Sequence, residues 1–213
     1  MITRSQFSTF EELFDYYNQA LFNAELPDCM INMSRKKGAH AFFAPGRWKV
    51  APVNTIQDRV ALPVHEISMN PDTLHRSAHL WHSTLVHEMC HLWRQEICQK
   101  KGSIGYHDKE WGNKMEELGL MPSNTGEPGG KKTGQKMTHY IIPRGPFDLA
   151  FEAIKSANMP YVPAIMEQTL TKKGQPRKQG VKIKYTCACG NNVWGKDNLK
   201  ITCDECDEAY ERA

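Results

Sequence analysis

The sequence predicts an α+β fold, with helices packed on a small antiparallel sheet and a small β unit at the carboxyl end. Apolar residues recur at helical spacing in two long segments, residues 10–22 and 80–93. Short strand-like segments separated by Gly and Pro turns lie between them. Four cysteines in two close pairs mark residues 187–206. A chain of 213 residues can form one proper core and one small appended unit.

The first helix and the sheet are predicted within residues 8–69. Ser8 or Thr9 caps the helix, apolar residues follow on one face, and Pro27 closes the element. Asn70-Pro71 ends the last strand. Three strands are expected, at residues 30–35, 39–44 and 60–69.

The second helix is predicted from an uninterrupted stretch, since no Gly or Pro occurs in residues 77–101. It carries His87 and His91, four residues apart and hence on one face, with Glu88 beside them. Two imidazoles at this spacing can hold one zinc ion, and Glu88 is then placed to act as general base. The alternative is a chance His-Glu-x-x-His pattern in an amphipathic helix.

A catalytic zinc site needs a third protein ligand and an open position for water. His107 follows the turn at Gly102 and Gly105, and Asp108 can cap a further helix that runs to Gly119. Three acidic residues on that helix are rival ligands: Glu110, Glu116 and Glu117. A metzincin pattern is excluded, because Arg94 and Ile97 stand where it requires Gly and His.

Residues 120–135 are rich in Gly and Pro and are expected to be a loop. Residues 137–143 are expected to form a strand, and the spacing of Phe147, Phe151 and Ile154 predicts a short helix after Pro146. Residues 158–180 have the composition of a basic linker. The expected domains are therefore residues 1–157, the linker 158–180, and residues 181–213.

The carboxyl-terminal cysteines have the spacing of a structural zinc site, without which so small a unit cannot fold. The first pair is C-x-C rather than C-x-x-C, which leaves the role of Cys187 open. A disulfide is the alternative, which a reducing cytoplasm disfavours. The expected ligands of this structural zinc are Cys187, Cys189, Cys203 and Cys206.

Charge is unevenly distributed along the chain. Residues 131–184 carry 11 basic and 3 acidic side chains, whereas the whole chain has a net charge of only +3. Such a segment attracts a polyanion, and a solvated linker is the alternative. The candidate DNA-binding residues are Lys131, Lys132, Lys172, Lys173, Arg177 and Lys178.

No apolar run is long enough for a transmembrane span, and the amino terminus lacks the apolar core of a signal peptide. We therefore expect a cytoplasmic protein with no membrane partner, associated with the nucleoid if the source is prokaryotic.

Four segments resemble the SprT/Spartan metalloprotease family. They are Leu85–Trp93, Tyr106–Trp111, the opening helix with Phe14–Asn18 and Phe22–Pro27, and the cysteines, which are similar to the family's zinc ribbon. The likeness covers residues 8–120 and, in outline, 181–208. It implies a minimal zincin-type domain, His107 as the third zinc ligand, and cleavage of proteins bound or crosslinked to DNA.

The resulting hypothesis is a monomeric zinc endopeptidase with one catalytic and one structural zinc ion. It would act on protein substrates on DNA that is single-stranded or has single-strand character. Glu88 would take a proton from the attacking water and give it to the leaving amine. An oxyanion donor is also needed, and its candidates are Tyr106, His82 and Tyr140.

An edge strand commonly holds the substrate backbone in such proteases. Phe42, Phe43 and Trp48 could serve that groove or stack on nucleobases, although we expect at least two of them to pack in the core. The alternative functions are a DNA-binding or antirestriction-type protein without proteolysis, a zinc hydrolase for small amides or esters, and a regulatory protease with one substrate.

Overall fold

Helix α2 (Ala78–Glu96) lies at the centre of the amino-terminal unit. The computed structural model describes residues 1–50, 62–98, 105–156 and 182–213, which belong to two compact units, Met1–Gln168 and Thr169–Ala213. Every residue of α2 from 81 to 90 is buried, so the helix is enclosed on all sides. It therefore holds the His-Glu-x-x-His residues on a rigid element.

A three-stranded sheet with the order β1-β3-β2 packs beside α2. It consists of β1 (Met30–Met33), β2 (Ala41–Val50) and β3 (Leu62–Met69). The sheet is mixed, since β1 runs parallel to β3 and β2 runs antiparallel to it. Among the described residues β2 pairs only with β3, so its other edge is free. A bulge between Ala44 and Trp48 interrupts the pairing of β2.

The first helix, α1 (Ile2–Phe22), begins earlier than the sequence predicted. Its N-cap position is Met1, with no side-chain cap, so the expected cap at Ser8 or Thr9 was wrong. Both hydroxyls instead donate to the carbonyl of Ser5, at 3.2 Å from Ser8 Oγ and 2.8 Å from Thr9 Oγ1. A hydroxyl that bonds back into the preceding turn can sit inside a helix as well as at its start.

The remaining elements of the first unit are α3 (Lys109–Glu117), β4 (Leu120–Ser123), β5 (Thr138–Ile141) and α4 (Pro146–Ser156). The helix α4 is confirmed, with Phe147, Phe151 and Ile154 buried as its spacing predicted. The start of the expected loop 120–135 is instead β4, which pairs antiparallel with β5. Pro122 fits there because β4 has a partner on only one side among the described strands.

The carboxyl-terminal unit is a small sheet with the order β7-β6-β8. Its strands are β6 (Ile183–Thr186), β7 (Asn192–Gly195) and β8 (Glu211–Arg212). The predicted α+β class is thus confirmed. No helix in the described ranges combines the length and apolarity needed to cross a membrane.

Candidate metal centre

Two histidines project from one face of α2, as their spacing predicts. The rings of His87 and His91 lie 5.2 Å apart between centroids. Trp111 of α3 packs against both rings, at 4.9 Å and 5.3 Å. Burial lowers the pKa of His87 well below its ordinary value and that of His91 to about 3. The two imidazoles are therefore neutral near pH 7, the form that binds a metal.

His107 reaches the same place from the segment before α3. Its backbone forms a β-bridge with Gly134, with N···O distances of 2.9 and 3.0 Å, and its Nδ1 lies 3.0 Å from the Gly134 carbonyl oxygen. A carbonyl only accepts, so Nδ1 carries the proton and Nε2 carries the lone pair. That Nε2 lies 3.1 Å from His91 Nε2.

Asp108 connects this segment to α2 through an ion pair. Its side chain accepts a hydrogen bond from Trp111 N at 3.0 Å, which makes it the N-cap of α3. Arg94 of α2 donates to both carboxylate oxygens, at 2.6–3.1 Å. Since His107 immediately precedes Asp108, the cap and the bidentate ion pair hold His107 against α2.

The three histidines fit a metal ion. One nitrogen of each, in His87, His91 and His107, lies within 4.8 Å of the other two. Neutral imidazole nitrogens that converge in this way match the donor set of a catalytic zinc site. The three rival acids, Glu110, Glu116 and Glu117, lie outside this group. Glu116 pairs with Lys132 at 2.9 Å and Glu117 with Lys114 at 2.7 Å.

Glu88 lies next to these histidines and is buried. In the metal-free site burial raises the pKa of its carboxyl to about 8. The charge of Lys36 and a hydrogen bond from the backbone N–H of Phe43 act in the opposite direction. The hydrogen bond from Phe43 therefore holds the carboxyl close to β2.

The family comparison agrees with this geometry. The SprT-like family model matches residues 10–133, which is more than half of the chain and contains Glu88 and the three histidines. The chain belongs to the SprT-like family. Neither the search of curated proteins nor the search of solved structures gave a match. The amino-terminal unit is thus a SprT-like, metalloprotease-like domain, and the match ends before residues 134–213.

A groove of about 870 Å³ opens beside the histidines of the SprT-like domain. Residues 36–43 and residues 135–139 are both among those that line it. Of the three oxyanion candidates only Tyr106 lines the groove. His82 is instead buried, with its Nδ1 2.8 Å from the Tyr17 hydroxyl.

The three aromatic residues of β2 have different surroundings. Phe42 and Phe43 line the groove, and Phe43 also packs against the core. Trp48 is 41% exposed and donates its indole N–H to Glu66 at 2.5 Å. The expectation that at least two of the three pack in the core was wrong. Phe42 lines the groove and contacts a charged side chain, since Lys36 Nζ lies 4.7 Å from its ring centroid.

His139 is a neighbour of the histidine cluster that the sequence did not single out. Its Nδ1 lies 3.1 Å from His87 Nδ1, and its Nε2 lies 2.9 Å from Ser83 Oγ. A lone His in a short strand, 48 residues beyond the motif, has no spacing that connects it to a metal site. It belongs to β5, which pairs with β4, and the tertiary fold brings it to α2.

The four cysteines of the second unit also converge. One sulfur of each lies within 4.8 Å of the others, and this group includes Cys187 despite its C-x-C spacing. The closest pairs are Cys187–Cys206 at 3.1 Å and Cys189–Cys203 at 3.6 Å between sulfurs, and all four are free thiols. Hydrogen bonding from the backbone of Glu205 lowers the pKa of Cys203 to about 6, which favours a thiolate. Four converging thiols fit a closed structural zinc site.

The candidate DNA-binding residues are only partly described. Lys131 and Lys132 are exposed, and Lys132 forms its ion pair with Glu116. The predicted linker 158–180 lies wholly outside the described residues, and so do the other four candidates: Lys172, Lys173, Arg177 and Lys178. The domain boundaries at 157 and 181 therefore stay predictions.

Proposed function

We propose that this chain is a zinc-dependent endopeptidase that is recruited to DNA and cleaves proteins bound or crosslinked to it. The observation that carries the protease assignment is the group of three histidines beside the buried Glu88, in a groove lined by β2. Membership of the SprT-like family supports the same assignment.

Two metal sites follow from this proposal. His87, His91 and His107 hold a catalytic zinc ion, and Cys187, Cys189, Cys203 and Cys206 hold a structural one. Zinc bound by the histidines would polarise the scissile carbonyl, lower the pKa of the attacking water, and favour the carboxylate form of Glu88 by its charge.

Glu88 is the proton carrier of the proposed reaction. Its carboxylate accepts a proton from the water as the water oxygen attacks the peptide carbonyl carbon. The same carboxyl then donates that proton to the leaving amine nitrogen as the C–N bond breaks. The hydrogen bond from the Phe43 backbone N–H keeps the carboxyl in place during both transfers.

The edge of β2 away from β3, which is unpaired among the described residues, is suited to a peptide substrate. An extended peptide can add to such an edge through main-chain hydrogen bonds, which are independent of side-chain identity. Tyr106 lines the same groove, and its hydroxyl is our candidate donor to the developing oxyanion. The choice of protein substrate then depends on proximity to DNA more than on a specific side-chain pocket.

The proposed recruitment to DNA rests on charge. Residues 131–184 carry 11 basic against 3 acidic side chains, and Lys131 and Lys132 at its start are exposed. A segment of this charge attracts phosphates without reading the base sequence. Single-stranded DNA is the partner that we propose, bound by the chain as a monomer.

Glu88→Gln is the variant that tests the proposal. It keeps the metal ligands and removes the base, so cleavage of a protein bound to single-stranded DNA should fall by about 10²–10⁴-fold. Zinc content and DNA affinity should stay at wild-type values. The same substrate protein is assayed free and DNA-bound, with wild type and variant side by side.

Each outcome of this assay has a separate meaning. Cleavage that depends on Glu88 and increases with DNA supports the whole proposal. Cleavage that depends on Glu88 but not on DNA supports the protease assignment and contradicts the recruitment to DNA. It favours a regulatory protease or hydrolase. DNA binding with no cleavage by wild type favours the non-proteolytic alternative.

A further inference from the structure

His139 bridges two consecutive turns of α2. Ser83 and His87 are four residues apart and share one face of the helix, and the His139 ring contacts both of them. The Ser83 hydroxyl also lies 2.9 Å from the carbonyl oxygen of Leu80. These contacts form one chain of hydrogen bonds that ends on His87.

The donor and acceptor of each hydrogen bond in this chain follow from the Leu80 carbonyl, at the end away from His87. The Leu80 carbonyl can only accept, so the Ser83 hydroxyl gives its one proton to it. Ser83 Oγ must then accept from His139 Nε2, which places the imidazole proton of His139 on that nitrogen. A neutral His139 consequently has a lone pair on Nδ1, and His87 Nδ1 must donate to it at 3.1 Å.

This order leaves His87 with its lone pair on Nε2. His107 is oriented in the same way by the Gly134 carbonyl. Residues 134–139 thus supply the acceptor for two proposed ligands that come from different elements.

We propose that His139 is a positioning residue, which holds His87 in the tautomer and orientation that present Nε2 to the metal, with Ser83 as its outer anchor. The inference rests on the proposed zinc site and adds residues beyond its ligands. Partners that hold the second nitrogen of a metal-bound histidine typically contribute about 10–100-fold to metal affinity. His139 should contribute on that scale.

Two substitutions separate the hydrogen bond from the packing of the ring. His139→Asn places an amide oxygen where Nδ1 stood and keeps the acceptor while it loses the ring. His139→Phe keeps a ring and loses the acceptor. A packing role predicts that Phe is tolerated and Asn is not, whereas the positioning role predicts the reverse.

The measurement is zinc affinity of the full chain by chelator competition, with the cysteine site as an internal reference. His139→Phe should weaken the histidine site by about 10–100-fold and shift the visible absorption of the cobalt-substituted protein. His139→Asn should stay within a few-fold of wild type, and Ser83→Ala should fall between them. The cysteine site should be unchanged in all three.

Several results would overturn the inference. Wild-type affinity in His139→Phe excludes a positioning role, as does equal weakening in His139→Asn and His139→Phe. Should the Phe variant fail to fold without metal, the Asn and Ser83→Ala variants decide, because loss in the former or no change in the latter contradicts the chain of bonds. A wild type without zinc at the histidines would instead refute the proposed function itself.

Discussion

At the scale of single residues, His82 is buried in the SprT-like domain without being part of the histidine cluster. Burial, with a smaller contribution from His79, lowers its pKa from about 6.5 to about 3. Its Nδ1 faces the hydroxyl of Tyr17, whose own pKa is raised by burial. The folded protein therefore binds fewer protons at this position than the unfolded chain between pH 3 and pH 6.5.

We expect the free energy of unfolding to decrease as the pH falls below about 6.5. A folded pKa below the unfolded value means that protonation favours the unfolded chain, by about 1–2 kcal/mol between pH 7 and pH 5. Urea unfolding of wild type and His82→Asn across this range measures the effect. The variant keeps an acceptor for Tyr17 and cannot titrate, so its pH dependence should be flatter whatever its absolute stability. Parallel curves for the two proteins would assign the pH dependence to other groups.

At the scale of elements, the start of α3 both caps a helix and positions His107 beside α2. Asp108 caps this helix through Trp111 N and receives Arg94 of α2 on both oxygens. The Arg94 side chain is only 11% exposed, so its ion pair with Asp108 is largely shielded from solvent. His107 is adjacent in sequence and depends on both contacts for its place.

We predict that Asp108→Ala lowers the free energy of unfolding by at least about 1–2 kcal/mol, because it removes the cap and the ion pair together. Asp108→Asn is the matched control, since Asn is also a good N-cap and loses only the charge. It should be less destabilising and should retain more zinc at the histidine site. Urea unfolding and metal analysis of both variants test this, and equal stability of wild type and Asp108→Ala would contradict it.

The elements that the sequence predicted best are those whose signal is local. The cap of α3 and the apolar spacing of α4 require no knowledge of the rest of the chain, and α2 was predicted from a segment without Gly or Pro. The strand β4 was missed because Pro122 and the following glycines resemble a loop, and only the pairing with β5 makes it a strand. The parallel pairing of β1 with β3 is likewise a long-range property.

The residues of the site, like the elements of the fold, were predictable where the signal is local in sequence. His87, Glu88 and His91 share one turn of a helix, so their spacing shows their common face. His107 needed a family resemblance to be preferred over Glu110. His139 reaches His87 through tertiary structure alone, and no pattern in residues 134–141 indicates it.

At the scale of the whole molecule, the chain carries two candidate metal sites of opposite character. The histidine site borders an open groove beside the main core, whereas the four cysteines lie in a unit with few buried side chains. We therefore expect a unit of that size to depend on the proposed structural zinc to fold. The two sites should therefore respond differently to loss of a ligand.

We expect two zinc equivalents in wild type and one in either His87→Ala or Cys203→Ser. His87→Ala should abolish cleavage and leave the second unit folded. Cys203→Ser should unfold residues 182–213 and spare the histidine site. Metal analysis combined with limited proteolysis distinguishes the two, and two equivalents in His87→Ala would refute the histidine assignment.

The last prediction concerns the proposed attraction of residues 131–184 to DNA. Phosphate contacts release counterions, so affinity for single-stranded DNA should fall with salt, with a logarithmic slope of about −0.7 per contact. Changing Lys172, Lys173, Arg177 and Lys178 to Gln should make the slope less steep by about 3, with zinc content unchanged. The matched control neutralises four exposed cations outside residues 131–184: Arg4, Lys49, Lys109 and Lys200. Both variants lose the same net charge, so a general effect of charge would alter their slopes equally. A slope that changes only in the first variant places the phosphate contacts in residues 172–178, and an unchanged slope there makes this cluster a solvated linker.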